Sequence, residues 1–136
     1  MTPGYVTFRL GEREFATPLT DVREVLRLTG LEPLPGMEPP LAGVISVRGN
    51  PLPVLDVRGG DRVGGDVLVV VRGGEPCGIA VDAVTAVRGG NELHAAADTG
   101  IAGLPSYVVE VLRDERGPVL LVDLEKLVGS LEPVSA

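Results

Sequence analysis

The sequence of 136 residues contains little sulfur and few aromatic side chains, which excludes several kinds of protein. It has no tryptophan, two tyrosines and two phenylalanines, so its hydrophobic core must be built mainly from valine, leucine and isoleucine. With one cysteine, Cys77, no intramolecular disulfide can form. Cys77 and the single histidine, His94, are also too few for a zinc site, which needs several such ligands. We interpret Cys77 as a core residue of a strand and His94 as a surface residue, and we predict neither a metal nor a cofactor.

Basic charge and long apolar runs are scarce as well. One lysine and eleven arginines are scattered among nineteen acidic residues, and the formal net charge is −7. Nucleic-acid binding needs a field of basic side chains, so that class is excluded. Apolar runs such as Val67–Val71 are far too short to span a bilayer, and the N-terminus lacks the features of a signal peptide. We therefore predict a cytoplasmic protein that neither inserts into membranes nor binds nucleic acid.

What the sequence does have is an apolar content of 44%, with nineteen glycines and twelve prolines. The glycines and prolines are spread at short intervals, which is typical of many turns between short strands. Disorder, the alternative for such a composition, conflicts with the apolar content. We predict a mostly β protein that forms a single domain, residues 1–136, or two small joined lobes.

The stretch Gly43–Arg58 predicts a hairpin around which the chain is organised. Its first strand is rich in β-branched residues, which suit a pleated and buried surface. The turn signal is Arg48-Gly49-Asn50, because glycine and asparagine tolerate positive φ angles. Arg48 is unexpected there, since packing does not require a charged side chain on this turn.

Other elements are predicted from alternation or from helical spacing. The predicted strands are Tyr5–Leu10, Phe15–Leu19, Leu68–Val71, Cys77–Val81, Tyr107–Arg113 and Pro118–Val122. A short helix capped by Thr20 is predicted after the second strand, because apolar residues at helical spacing follow it. Its apolar face consists of Val22, Val25 and Leu26. A C-terminal helix is predicted to begin after Asp123, a typical N-cap residue.

The second half of the chain repeats the order of elements in the first. The pair Val22 and Val25 has a counterpart there, Val84 and Val87, whose members have the same spacing. The strands and turns around the two pairs also follow each other in the same order. This repetition indicates an internal duplication.

Two aspartates, Asp56 and Asp123, each follow an apolar strand at matching places in the two halves. With the valine pairs they indicate two similar β lobes, roughly 1–65 and 66–136. An aspartic hydrolase places one such carboxylate from each lobe in a shared cleft, so this function is an alternative. The small residues that let two such aspartates approach each other are missing. We favour the interpretation that both side chains bind backbone groups at strand ends.

Two interpretations of Arg48 remain open. It is a solvent-exposed turn residue, or its guanidinium forms a bidentate ion pair with a carboxylate. Glu24 is the candidate partner, because the short helix that carries it must pack near the hairpin if Val22 and Val25 are buried. We expect such a pair to hold the helix against the hairpin and to shape the groove beside them.

Several segments, in the order in which they occur, resemble the pattern of CheW-like domains. The most specific is Gly43–Gly49 followed by Leu52–Arg58. It is similar to the family's run of glycine, valine, two further residues, an apolar residue, arginine and glycine, before a strand ending in an apolar-Asp-apolar-Arg motif. The other similar segments are Phe8–Phe15, Val22–Val25, Gly78–Val84 and Leu121–Leu127. The resemblance extends over nearly the whole chain.

The resemblance implies a fold of two intertwined five-stranded β-barrels around a shared apolar core. It also implies an adaptor without enzymatic activity. Such an adaptor couples methyl-accepting chemotaxis receptors to the histidine kinase CheA, whose regulatory domain has the same fold. The alternative within the family is a scaffold for a divergent kinase outside chemotaxis.

The resemblance also implies which residues bind partners. Those at positions tied to receptor coupling or its support are Val22, Glu24, Gly43 and Arg48. The helical tip of the receptor is expected in a groove between the lobes, near Val25, Val84 and Val87, because an exposed apolar groove suits an amphipathic helix. The alternative for the valines is an ordinary place in the core.

Overall fold

Short strands account for most of the chain. The structure is a computed structural model that describes residues 4–58, 63–96 and 103–131. Its strands are β1 (Tyr5–Leu10), β2 (Arg13–Pro18), β3 (Glu24–Arg27), β4 (Leu41–Val47), β5 (Asn50–Asp56), β6 (Asp66–Arg72), β7 (Glu75–Val81), β8 (Ala83–Arg88), β9 (His94–Ala95), β10 (Val108–Asp114) and β11 (Gly117–Val122). A 3₁₀ turn, Leu19–Asp21, follows β2, and the helix α1 (Leu124–Gly129) follows β11. The mostly β architecture predicted from composition is confirmed.

The strands form two hydrogen-bonded sheets that follow the same order of pairing. The first sheet has the order β8-β1-β2-β11-β10-β9, and the second has the order β3-β6-β7-β5-β4. Neighbouring strands are antiparallel except for β2 with β11 and β5 with β7, which are parallel. In this order β3 corresponds to β8, β6 to β1, β7 to β2, and the hairpin β4–β5 to the hairpin β10–β11.

The correspondence also holds along the sequence. The same shift that carries Asp56 onto Asp123 carries Leu41–Val47 of β4 onto Val108–Asp114 of β10. Each sheet nevertheless takes strands from both predicted lobes, because β1 and β2 pair with β8 and β11 while β6 and β7 pair with β3 and β5. The two halves of the chain are therefore intertwined through their sheets. Closure of either sheet into a five-stranded barrel remains a prediction.

Both faces of the strand β6 are buried, which explains the apolar run in its sequence. Leu68 and Val70 belong to a core cluster that is shared by the two sheets and α1. Val67 and Val69 belong to a second cluster, formed around the second sheet. Successive side chains of a strand point to opposite faces, so one strand can serve two cores.

The prediction of a short helix after Thr20 is wrong. Leu19–Asp21 form a 3₁₀ turn, and Glu24–Arg27 form the edge strand β3, antiparallel to β6. On this strand Leu26 lies on the covered face and Val25 on the exposed one, so the helical spacing does not define a single apolar face, and pairing with the buried β6 decides the structure. Val84 and Val87 also lie on a strand, the edge strand β8.

The helix α1 begins where the sequence predicts. The side chain of Asp123 accepts a hydrogen bond from the backbone N–H of Lys126 at 3.2 Å, which satisfies a free donor of the first turn. Leu124, Leu127 and Val128 are buried in the shared cluster. The helix is thereby anchored against both sheets.

Candidate protein-interaction site

The turn of the β4–β5 hairpin is built from two residues with positive φ angles. Arg48 has a φ of 49° and Gly49 a φ of 82°, and Val47 pairs with Asn50 across the turn. Two successive residues in the left-handed region match the twist of a hairpin, and glycine adopts that region without strain. Arg48 is the only non-glycine residue of the described chain with a positive φ, so its side chain is presented from an unusual backbone position.

The structure brings Glu24 and Arg48 together. Arg48 Nη2 donates to Glu24 Oε2 at 2.6 Å and Nη1 donates to Oε1 at 3.0 Å, which is a bidentate ion pair. The hydrogen bond from Arg48 lowers the pKa of Glu24, and the carboxylate in turn raises the pKa of Arg48. Glu24 lies on β3 and not on a helix, so the ion pair links the edge strand β3 to the hairpin at the other edge of the same sheet.

The four predicted valines divide into two kinds. Val22 and Val84 are partly buried against the shared core cluster. Val25 on β3 and Val87 on β8 are exposed, with 40% and 63% of their surface accessible. Since β3 and β8 are equivalent strands of the two sheets, each sheet presents one exposed valine on an edge strand.

Asp66, which sequence reasoning missed, connects these two edge strands. Its Oδ1 lies 3.4 Å from Nη1 of Arg27, the last residue of β3. Its Oδ2 accepts a hydrogen bond from the backbone N–H of Val84 at 2.8 Å. Because Asp66 is also the register partner of Arg27 in the ladder of β3 and β6, the end of β3 lies near the beginning of β8. The sequence carries no signal for this contact, because the two partners of Asp66 lie 39 and 18 residues away.

Gly43 is required by a close backbone approach. A Cβ atom at this position would lie 2.5 Å from the backbone oxygen of Glu32 and 3.0 Å from a methyl carbon of Leu31. Glu32 pairs with Val44 as an isolated bridge along the outer edge of β4. Gly43 thus allows residues 31 and 32 to lie against the sheet, and a direct role in partner binding remains a prediction.

A buried arginine, Arg58, joins three segments of the chain and was also missed. Only 2% of its side chain is exposed. It donates to Asp56 through Nε and Nη2, both at 3.0 Å, and through Nη1 to the backbone oxygen of Gly64 at 2.8 Å. Nη1 also lies 3.8 Å from the carboxylate of Asp82, which accepts from the backbone N–H of Gly11. Arg58 follows the end of β5 by two residues, and its backbone N–H also binds Asp56, so the available signal was an aspartate at a strand end with an arginine two residues later.

Asp56 and Asp123, the alternative catalytic pair, each have a structural role. Asp56 binds the guanidinium of Arg58 and also accepts from its backbone N–H at 2.9 Å. Asp123 caps α1 through the backbone N–H of Lys126. Both carboxylates therefore bind groups at strand ends, which is the interpretation that the sequence favoured.

The remaining chemically active side chains are dispersed. Cys77 is buried on β7, and burial raises the pKa of its thiol. His94 is exposed on the short strand β9. Within residues 4–58, 63–96 and 103–131, no three His, Cys, Asp or Glu side chains are grouped so that they could hold a metal ion. The same residues include no helix that is long and apolar enough to cross a membrane.

Comparison with known proteins gives a match to one family along most of the sequence. The model of the CheW-like domain matches residues 4–132. The chemotaxis protein CheW of Treponema pallidum is 23% identical over 143 aligned positions, which cover 93% of this chain and 82% of that protein. The crystal structure of the scaffolding protein CheW from Thermoanaerobacter tengcongensis superposes with a TM-score of 0.73 at 21% identity, covering 97% of this chain and 95% of that one.

Two shorter matches have higher identity. Protein PilI of Pseudomonas aeruginosa is 41% identical over 54 residues, which are 40% of this chain and 30% of PilI. Protein FrzA of Myxococcus xanthus is 35% identical over 91 residues, which are 62% of this chain and 57% of FrzA. The chain therefore matches less than two thirds of the length of these two relatives.

Proposed function

The chain belongs to the CheW-like domain family, and from this premise we propose that it couples chemoreceptors to a histidine kinase of the CheA type. It is a CheW-like scaffold of chemotaxis-type signalling. The proposal adds the partners, namely the cytoplasmic tip of a methyl-accepting receptor and the regulatory domain of the kinase. Both partners are cytoplasmic, so the proposal places this chain in the cytoplasm.

One observation carries the receptor part of the proposal. The equivalent edge strands β3 and β8 each present an exposed valine, and Asp66 is the backbone neighbour of the end of β3 and binds the beginning of β8. A helix with apolar residues on one face buries such side chains and leaves its polar face in water. Val25 and Val87 are then the contacts, while Val22 and Val84 support them from the core.

The ion pair between Glu24 and Arg48 has a supporting role in this proposal. It fixes β3, the strand that carries Val25, against the β4–β5 hairpin. Gly43 acts in the same way, because it allows residues 31 and 32 to cover the outer edge of β4. Loss of either feature is expected to weaken receptor binding through the shape of the second sheet.

The function needs no chemistry on a substrate. Adaptors bind through apolar contacts with a polar rim, and the valines with their neighbouring charges provide such an arrangement. Asp56 and Asp123 bind backbone and side-chain groups of this chain, which leaves the hydrolase alternative without support. We therefore propose a non-enzymatic adaptor.

Co-sedimentation of the purified chain with kinase and receptor fragments tests the proposal. We expect the wild-type chain to bind both partners at concentrations on the order of tens of micromolar. Val87→Ser should lower affinity for the receptor fragment by about 5-fold, because it removes an apolar contact. Absence of binding to both partners would contradict the adaptor function.

Val109→Ser is the matched control for this experiment. Val109 is 60% exposed, as Val87 is 63% exposed, but it lies on β10, four strands from β8 in the first sheet. The control variant should bind the receptor fragment as the wild type does. An equal loss in both variants would show that exposed valines in general matter, and the assignment of the surface to β3 and β8 would fail.

A second candidate is the same adaptor role with a kinase outside chemotaxis. The local identity to PilI and FrzA exceeds the identity to the chemotaxis protein CheW of Treponema pallidum, so the similar sequences do not single out the chemotaxis kinase. The two candidates differ in which kinase regulatory domain is bound. Binding assays against the regulatory domains of all CheA-like kinases of the same organism distinguish them.

A further inference from the structure

The first sheet also contains an ion pair between its edge strand β8 and its hairpin, with the charges reversed relative to Glu24–Arg48 of the second sheet. Arg88, the last residue of β8, donates through Nη1 to Asp114 Oδ2 at 3.1 Å. Asp114 is the last residue of β10 and lies at the turn of the β10–β11 hairpin. In both sheets, therefore, an edge strand with an exposed valine is connected to the hairpin on the other side of the sheet.

We propose that Arg88 and Asp114 are positioning residues that hold Val87 in the orientation in which it meets the receptor helix. The inference rests on the proposed function, because it assigns a role to a strand of the same binding surface. It adds that the surface is supported by two ion pairs, one for each sheet. Loss of the second pair should affect binding through Val87.

The geometry of β8 shows why its last residues need such support. Among residues 4–58, 63–96 and 103–131 it pairs with one strand only, β1, and this pairing shifts register between Thr7 and Phe8. Val87 and Arg88 lie beyond the shift, opposite Val6 and Tyr5. The stretch that carries Val87 is thus an edge strand after a bulge, where backbone hydrogen bonds alone fix the orientation weakly.

Val87 and Arg88 point to opposite sides of this edge. Ala86 and Arg88 line a cavity together with Asp114, whereas Val87 does not line it and is exposed. Thr85 also lines this cavity, but it lies at the register shift, where the alternation is interrupted. Consecutive side chains of a strand alternate between faces. Because the two side chains lie on opposite faces of β8, holding Arg88 in the cavity also sets the orientation of Val87.

Both partners of the ion pair are held by further contacts. Arg88 Nε donates to Glu92 Oε2 at 2.9 Å, and Glu92 accepts from the backbone N–H of Gly89. Asp114 Oδ1 accepts from the backbone N–H of Arg116 at 2.8 Å. The side chains of Arg88 and Asp114 are 24% and 8% exposed, so the pair is only partly accessible to water.

The pKa directions agree with this arrangement. The hydrogen bond to Glu92 raises the pKa of Arg88 against the effect of its burial. Burial opposes ionisation of Asp114, but hydrogen bonds from Arg116 and Arg88 outweigh it, and the pKa of Asp114 lies below its ordinary value. Both groups are charged at neutral pH.

The test is a double-mutant cycle read by receptor-fragment affinity. Asp114→Asn removes the charge but keeps an oxygen for the Arg116 N–H, so the turn is preserved. We expect Asp114→Asn and Val87→Ala each to weaken binding by about 3- to 10-fold, and the double variant to be no weaker than Val87→Ala alone. Fully additive losses would overturn the inference, because a general loss of stability does not depend on Val87.

Amide hydrogen exchange of Ala86–Arg88 provides a readout that does not depend on receptor binding. We expect faster exchange there in Asp114→Asn and unchanged exchange in β6 and β7. Unchanged exchange in Ala86–Arg88 would overturn the positioning role even if binding fell. Faster exchange in a chain whose wild type does not bind the receptor fragment would instead reject the proposed function.

Glu115→Gln is the matched control, because it removes a negative charge from the same cavity as Asp114→Asn does. Glu115 is exposed, follows Asp114 in the chain and lines the same cavity. Loss of its charge should leave both affinity and exchange at wild-type values. A loss of affinity equal to that of Asp114→Asn would assign the effect to the charge of the cavity, and the role of the ion pair would be rejected.

Discussion

At the scale of single residues, two buried threonines differ in whether their hydroxyl groups have a partner. Thr7 and Thr17 are both completely buried. The Thr7 hydroxyl hydrogen bonds with Thr85 Oγ1 at 2.8 Å and lies 3.3 Å from the backbone oxygen of Ala86. The Thr17 hydroxyl has no partner among the residues that the structure describes. An unpaired buried hydroxyl costs stability, because the group loses its bonds to water.

We expect Thr17→Val to stabilise the protein. Valine has nearly the same shape and removes the unpaired hydroxyl, so the free energy of unfolding should rise by about 1 kcal/mol. Urea denaturation followed by circular dichroism measures the change. Thr7→Val is the control, and it should lower the free energy of unfolding by about 1 kcal/mol because it breaks a satisfied bond. Equal effects of the two substitutions would contradict the argument.

Residue-scale prediction from the sequence worked where a side chain was unusual for its position. Arg48 could be singled out because packing does not require a charged side chain on that turn. Glu24 was the predicted partner, and the contact forms although Glu24 lies on a strand and not on the predicted helix. Arg88 and Asp114 gave no such signal, since Asp114 is an ordinary turn residue by sequence. Their contact depends on how the first sheet brings β8 and the β10–β11 hairpin together.

At the scale of elements, β3 shows why the helix prediction failed. Val22, Val25 and Leu26 satisfy helical spacing, yet the segment Glu24–Arg27 also alternates between more and less exposed residues. Local spacing cannot choose between these patterns in so short a segment. The choice is made by β6, which needs a neighbour on each side to pair its backbone groups.

A second element-scale feature is the connection of three segments by Arg58. We expect Arg58→Ala to lower the free energy of unfolding by about 3–5 kcal/mol, since it leaves the carboxylate of Asp56 without its buried partner. Thermal denaturation measures the loss. In the double variant with Asp56→Ala, the total loss should be smaller than the sum of the single losses.

Arg27→Ala controls for the removal of a positive charge. Arg27 also pairs with an aspartate, Asp66, but its side chain is exposed to solvent. Exposed pairs contribute little, so this change should alter the free energy of unfolding by less than about 1 kcal/mol. A similar loss in Arg27→Ala and Arg58→Ala would show that net charge, and not the buried network, determines the effect.

At the scale of the whole molecule, the repeated order of the elements could be predicted but the pairing between the halves could not. The repeated valine pairs and the repeated aspartates are visible in the sequence, and they relate equivalent strands of the structure. The strand β2 has a parallel neighbour in β11, and its equivalent β7 has one in β5. No local feature of the sequence distinguishes this exchange of strands between the halves from pairing within each half, because β5 and β11 are equivalent strands. The intertwined arrangement is implied by the resemblance to CheW-like domains and does not follow from the spacing of residues.

The exchange of strands predicts how separated halves of the chain behave. A fragment of residues 1–65 has β1 and β2 without β8 and β11, and it has β3 and β5 without β6 and β7. Each fragment would therefore expose the central edges of both sheets, and the apolar faces of the shared core cluster would lack their opposing strands. We expect fragments 1–65 and 66–136 to be unfolded alone by circular dichroism and to regain the spectrum of the intact chain when mixed in equal amounts.

Arg58→Ala in the first fragment should weaken this complementation, because the Arg58 guanidinium lies 3.8 Å from the carboxylate of Asp82 in the second fragment. The loss should appear as a higher concentration of fragments needed to regain the spectrum. Arg27→Ala, which removes an exposed arginine from the same fragment, should leave that concentration nearly unchanged. A cooperative unfolding transition in either isolated fragment would show that the lobes are independent domains, and it would contradict the intertwined arrangement because neither half then needs the strands of the other.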